Sequence, residues 1–128
     1  MIKQVIHIKH YWKIIVYYDI DYNLFNYIGE DLVNINFPVE EVYAAHHLLS
    51  TGEVKALTAS NSNLHISIVV FNRHKSYFDY INSIVHEAKH VKQAMLYAYN
   101  VEDKGEPPAY TIGYIAMKML EIFKVLYK

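Results

Sequence analysis

The chain has 128 residues, no cysteine and a formal net charge of −1 at pH 7, which fits a single domain over residues 1–128. The lack of cysteine excludes disulfides and thiolate metal ligands, and the scattered Lys and Arg residues predict no nucleic-acid partner. No apolar run reaches the roughly 20 residues of a membrane span, and the first residues lack the apolar segment of a signal peptide. We therefore predict a cytoplasmic protein without membrane contact.

The first element that the pattern predicts is a strand over residues 5–18. Apolar and polar residues alternate there, which is typical of a strand with one buried face. The side predicted to face the core carries Ile6, Ile8, Trp12, Ile14 and Val16. Because no turn residue interrupts the alternation, the sequence predicts one long strand.

Two helices are predicted next, one weakly and one clearly. Residues 21–31 favour a short helix, although a glycine and several asparagines lower its helix propensity. Residues 39–50 are a clearer helix, because Pro38 suits the first turn and two glutamates complement the N-terminal dipole. Gly52 can end this helix in a left-handed conformation.

A hairpin and two long helices complete the predicted fold. Residues 54–59 and 64–71 read as strands joined by a polar turn. A helix over residues 76–99 begins with capping-box spacing, and a last helix over residues 107–126 begins with two prolines. This order predicts an α+β fold in which helices pack on a small, mostly antiparallel sheet.

Residues 86–90, His-Glu-Ala-Lys-His, have the pattern H-E-x-x-H on a predicted helix. His86 and His90 lie one turn apart on the same face, so both imidazoles can bind one zinc ion. Glu87 lies about 100° round the helix and is placed to act as a general base on a metal-bound water. Simple solvation of two polar-face histidines is the alternative explanation.

Zinc needs a third ligand, and Glu106 at the start of the last helix is the candidate. Ala109, Gly113 and Ala116 form a small-residue stripe on that helix, and small residues let two helices approach closely. This packing is predicted to draw Glu106 toward the histidine pair. Alternatively, Glu106 only caps its own helix and complements the helix dipole.

On these residues the chain resembles the zincin superfamily, of the gluzincin type with two His and one Glu. Within it, the chain is similar to small metallopeptidases of phages and prophage-like elements. The segments that carry the resemblance are residues 67–71, 86–90, 105–110 and 113–115. The resemblance implies a zincin-like fold with an active-site helix followed by a C-terminal helix. It also places the second hairpin strand near the site, where an edge strand pairs with an extended peptide.

By this resemblance, His86, His90 and Glu106 are the zinc ligands and Glu87 is the catalytic base. Tyr110 either donates a hydrogen bond to the developing oxyanion or packs between helices. The implied function is a zinc metallopeptidase that hydrolyses peptide bonds of a peptide or protein substrate with a metal-activated water. The alternatives are a catalytically inactive zincin-fold binding protein of a phage or mobile element, and an accidental H-E-x-x-H. The sequence predicts no oligomeric state.

Two lysines depart from the zincin pattern. Lys89 and Lys92 occupy positions that are usually uncharged in that superfamily, and their ammonium groups are expected to extend to water. The remaining histidines are expected at the surface or the edge of the core. Of these, His74 beside Arg73 is best placed to support the site, because it directly precedes the histidine helix.

Overall fold

The computed structural model describes residues 1–126, apart from the side chains of Phe123 and Lys124. Residues 127 and 128, which the predicted domain includes, lie outside the described part. The strands are β1 (Ile2–Ile8), β2 (Trp12–Tyr18), β3 (Ala56–Asn61) and β4 (Ile66–Phe71). The helices are α1 (Phe25–Asn34), α2 (Val39–Ser50), α3 (Tyr77–Ala98) and α4 (Glu106–Leu126), and a one-turn 3-10 helix (Tyr22–Leu24) precedes α1.

The strands form one four-stranded mixed sheet in the order β1-β2-β4-β3. The pairs β1–β2 and β3–β4 are antiparallel, whereas β2 and β4 run parallel. Parallel neighbours need a long crossover connection, and here the crossover contains α1, α2 and β3. The predicted α+β class is confirmed, with a four-stranded sheet and four helices.

The predicted long strand over residues 5–18 is wrong, because the chain reverses at Lys9. Lys9 takes a positive φ of 49°, and the Tyr11 N–H donates to the Ile8 carbonyl at 3.0 Å, which closes a tight turn. Such a φ is uncommon in residues other than glycine, so the turn has no glycine or proline signal. The residues predicted to share one face nevertheless do so, since Ile6 lies opposite Ile14 across the hairpin.

The prediction of one buried face holds for β1, where burial alternates, but is wrong for β2, which is covered on both sides. Ile14 and Val16 pack under α3 and α4, while Ile15 and Tyr17 pack under α1 and α2. A strand with a parallel neighbour is commonly covered on both faces. The result is a layer of two helices on each face of the sheet.

The start of α3 and the end of α2 lie where local capping chemistry predicts. The Ser76 hydroxyl accepts a hydrogen bond from the Asp79 N–H at 3.2 Å, which fixes the start of α3. Gly52 takes a φ of +79° just after α2, and its N–H donates to the Leu49 carbonyl at 3.1 Å.

Within residues 1–126, no helix is both long and apolar enough to cross a membrane. The cytoplasmic location stays a prediction.

Candidate metal centre

His86 and His90 lie on the exposed side of α3, one helical turn apart. Their imidazole rings stand nearly perpendicular, at 84°, with centroids 4.7 Å apart. The two Nε2 atoms approach to 3.1 Å, so one nitrogen donates its proton to the other. The pair therefore presents two nitrogen atoms to one point in solvent.

The distance between the two Nε2 atoms is close to that between two nitrogen ligands of one zinc ion. Zn–N bonds of about 2.0–2.1 Å at a tetrahedral angle place two ligand nitrogens about 3.3–3.4 Å apart. The Nε2 atoms of His86 and His90 lie only a few tenths of an ångström closer, at 3.1 Å. Admitting the ion between them requires a rotation of the rings and the Nδ1–H tautomer at both histidines, because a protonated Nε2 cannot coordinate a metal.

The histidine pair faces solvent, whereas Glu87 faces the interior of the fold and is only 4% exposed. Its Oε1 accepts a hydrogen bond from the Thr58 hydroxyl of β3 at 2.9 Å. This side chain therefore joins α3 to the sheet. In this position the carboxylate is engaged by β3, away from the exposed imidazoles.

The structure does not bring Glu106 or Tyr110 to the histidine pair. Both side chains border a shallow groove whose lining residues all belong to α4, and Tyr110 is 72% exposed. His90 lies eight residues before the end of α3, about 12 Å back along the helix at 1.5 Å per residue. Glu106 opens α4 after the connecting loop, and it forms no group with the two histidines that could hold a metal ion.

The small-residue stripe predicted to draw the two helices together is also wrong. Ala109 and Gly113 are exposed, and a Cβ on Gly113 would meet nothing within 4 Å. Of the three residues, only Ala116 packs against the core. Larger side chains make the contact with α3, including Ile115 and Met119, both fully buried in the core. The α3–α4 contact is thus an ordinary apolar one.

Throughout the described residues, no three His, Asp or Glu side chains are grouped so that they could hold a metal ion. The chain matches no protein-family model, no curated protein and no solved structure. The identification as a zincin is therefore wrong, since the set of two His and one Glu that defines that resemblance is not assembled. The expected edge strand is wrong too, because β4 lies between β2 and β3.

The two lysines near the pair have different environments. Lys89 is exposed, as expected. Lys92 is buried, with its side chain 5% exposed, and its Nζ lies 2.7 Å from a carboxylate oxygen of Asp103. The expectation that Lys92 reaches water is wrong because the loop after α3 folds over it and supplies the counter-charge.

A half-buried polar network centred on Asn72, directly after β4, was not predicted. The Asn72 amide donates to the Leu49 and Val54 carbonyls at 2.8 and 3.2 Å, and the Tyr22 hydroxyl donates to its Oδ1. These bonds join the end of α2, the approach to β3 and the 3-10 helix. The only signal in the sequence is a run of polar residues after an apolar strand.

His74 extends this network and is 5% exposed. Its Nδ1 donates to the Asn72 carbonyl and its Nε2 accepts from the Ser83 hydroxyl, each at 2.7 Å, in the neutral tautomer that fits both partners. Burial lowers the pKa of His74, and Lys55 lowers it further, against the opposing effects of the Asn72 carbonyl and Asp79. His74 is therefore a structural histidine next to α3.

Proposed function

We propose that the chain binds a divalent transition-metal ion, zinc first among them, through the Nε2 atoms of His86 and His90. The observation that carries this proposal is their separation of 3.1 Å on an exposed helix face. The opposite side of α3 is packed on the sheet, so the backbone under both ligands is rigid. Neutral imidazole is a ligand that suits zinc, copper and nickel.

Two protein ligands leave the rest of a tetrahedral shell to water or to a group from outside the chain. When bound, zinc makes a coordinated water acidic and polarises a carbonyl group. Hydrolysis of a peptide or protein substrate thus stays a prediction that rests on the metal site. Glu87 would serve it as a base through its second carboxylate oxygen, because Thr58 engages only Oε1.

Isothermal titration of the metal-free protein with Zn²⁺ tests the site. We expect saturable binding of one ion per chain and loss of most of the affinity in His86→Ala and in His90→Ala, because either change leaves a single ligand. His47→Ala is the matched control, since His47 is also an exposed helical histidine but has no histidine four residues away.

Equal loss in His47→Ala, or undiminished binding in the double variant His86→Ala/His90→Ala, would place the metal elsewhere and overturn the proposal. Helical circular dichroism of each variant checks that α3 is retained. Absence of saturable zinc binding in the wild-type chain would also overturn it.

A peptide-library assay of the zinc-loaded protein tests hydrolysis separately. Glu87→Gln is the sharp variant, because a Gln Oε1 can still accept the Thr58 hydrogen bond while the amide cannot act as a base. Cleavage lost in Glu87→Gln supports Glu87 as the base, and cleavage that persists excludes it. Zinc binding without any cleavage favours a metal-dependent binding protein.

A further inference from the structure

A cleft of about 560 Å³ lies beside the carboxyl end of β4, away from the histidine pair. From β2 the chain continues to α1 on one face of the sheet, and from β4 it continues to α3 on the other face. Adjacent parallel strands whose connections leave to opposite faces open a crevice at their carboxyl ends, and α/β sheets bind ligands there. The wall of this cleft includes Tyr22 from the β2–α1 connection and residues 72–75 from the β4–α3 connection, together with the end of α2 and the approach to β3.

The charged side chains that line the cleft are mostly basic. Lys55, Arg73 and Lys75 border it, against a single acid, Asp79. This surplus of positive charge stands out in a chain whose formal net charge is −1. An anion entering the cleft meets a favourable local potential.

The ion pairs of these basic residues are weak enough to yield to a ligand. Lys55 lies 3.6 Å from Asp79, and Arg73 lies 3.8 Å from Asp19, which is outside the lining of the cleft. Both basic side chains are well exposed, at 63% and 77%, so each pair contributes little to stability. Lys75 makes no ion pair within 4 Å in the part of the chain that the structure covers.

Another part of the cleft wall, formed by Tyr22 and Asn72, is held in place by hydrogen bonds. The Tyr22 hydroxyl is held by Asn72, which is itself bonded to two backbone carbonyls. The Tyr22 ring is therefore locked against the cleft as an apolar surface. A ligand with one anionic end and one flat or apolar end matches this combination.

We propose that this cleft binds a small molecule carrying a phosphate or diphosphate group. Arg73 and Lys75 contact the phosphate oxygens, Arg73 through its forked guanidinium, and the Tyr22 ring flanks the organic part. The cleft volume, about 560 Å³, lies within the roughly 300–1,000 Å³ of small-molecule sites. Asp79, in the first turn of α3 and paired with Lys55, limits the affinity by its negative charge.

Titration of the metal-free protein with inorganic pyrophosphate at 150 mM NaCl, followed by ¹H–¹⁵N NMR, tests the phosphate half of the site. We expect saturable shifts of the amide signals of residues 72–79. The double variant Arg73→Gln/Lys75→Gln should weaken binding about tenfold or more, because each phosphate contact from a charged donor is lost. Lys9→Gln/Lys13→Gln is the control, with the same change in net charge at the other end of the sheet.

A gain of affinity gives a result that misfolding cannot produce. Asp79→Asn removes the competing charge and releases Lys55, so pyrophosphate should bind several-fold more tightly. Shifts that do not saturate, or equal weakening in the Lys9/Lys13 control, would show general charge screening and overturn the proposal. Failure of zinc to bind His86 and His90 has no bearing on this result, because the two sites share no residue.

Discussion

The ammonium group of Lys92 is nearly removed from solvent, yet its partner Asp103 is half exposed, at 48%. Removing Asp103 leaves a buried charge without its counter-charge, which is far more costly than losing a surface ion pair. We expect Asp103→Ala to lower the free energy of unfolding by about 1–3 kcal/mol, less than a fully buried pair would lose because water reaches the carboxylate side. Urea denaturation measures the change.

The same loop offers the matched control. Lys104 and Glu102 lie 2.8 Å apart, but both side chains are more than three-quarters exposed. Glu102→Ala should therefore change the free energy of unfolding by less than about 0.5 kcal/mol. Lys92→Met, which removes the buried charge itself, should cost much less than Asp103→Ala. Equal effects of Asp103→Ala and Glu102→Ala would show that Lys92 reaches water after all.

His74 makes the stability of the fold depend on pH. Its pKa in the folded protein is lowered, chiefly by burial, whereas an unperturbed histidine titrates near about 6.5. As the pH falls through that value, the unfolded chain binds a proton that the folded chain does not. The contribution of His74 to the free energy of unfolding is therefore fully present above about pH 6.5. Below that pH it falls, by at most about 1.4 kcal/mol per pH unit.

Urea denaturation between pH 7.5 and 5.0 measures this contribution. We expect His74→Gln to be less stable than the wild type at pH 7.5 and the difference to shrink toward pH 5.0. His47→Gln, at an exposed position, should keep the wild-type slope. A wild-type slope in His74→Gln would mean that burial of His74 does not control the pH response.

At the scale of elements, a substitution at Gly113 tests whether this residue contacts α3 closely or is exposed to solvent. If the glycine let the two helices approach closely, an added methyl group would destabilise the fold. In the structure it is exposed and a Cβ there meets nothing, so Gly113→Ala should instead stabilise by about 0.5–1 kcal/mol through helix propensity. Thermal and urea denaturation give the sign directly.

Gly52→Ala provides the opposite sign in the same assay. Gly52 has a φ of +79°, a conformation that costs a residue with a Cβ about 1–2 kcal/mol. Both variants replace glycine with alanine, so only the backbone conformation and helical position differ. Destabilisation by Gly113→Ala would instead indicate that α3 and α4 approach closely at Gly113.

The elements that could be predicted from sequence are those whose ends are set by local chemistry. Ser76 and Gly52 fix the start of α3 and the end of α2 within a residue or two of the prediction. The β1–β2 turn could not be predicted, because Lys9 takes its positive φ without a glycine. Its support comes from far along the chain, where the Tyr99 hydroxyl donates to the Tyr11 carbonyl at 2.8 Å.

In the candidate site, too, the features set by local geometry could be predicted and those set by packing could not. The approach of His86 to His90 follows from helix geometry alone, so their spacing in the sequence is sufficient to predict it. The place of Glu106 depends on how α4 packs, and the burial of Glu87 against β3 depends on how α3 packs on the sheet. Neither is a local property, and a sequence motif carries no information about either.

At the scale of the whole molecule, two layers of helices enclose the sheet because its two central strands are apolar on both faces. Val69 and Phe71 of β4 pack toward α3 and α4, while Ile68 and Val70 pack toward α1 and α2. The two helix layers therefore depend on the β2–β4 pairing. Disrupting that pairing should loosen both layers together, in a single cooperative unfolding transition.

The contact between Trp12 and Ser67 ties this pairing to an observable signal. The indole N–H of Trp12, the only tryptophan in the chain, donates to the buried Ser67 hydroxyl at 2.9 Å. Ile14 and Ser67 become neighbours only after a segment of more than fifty residues has closed, an entropic cost that slows folding. Tryptophan fluorescence during refolding should therefore report the late closure of the centre of the sheet, after most helical signal has formed.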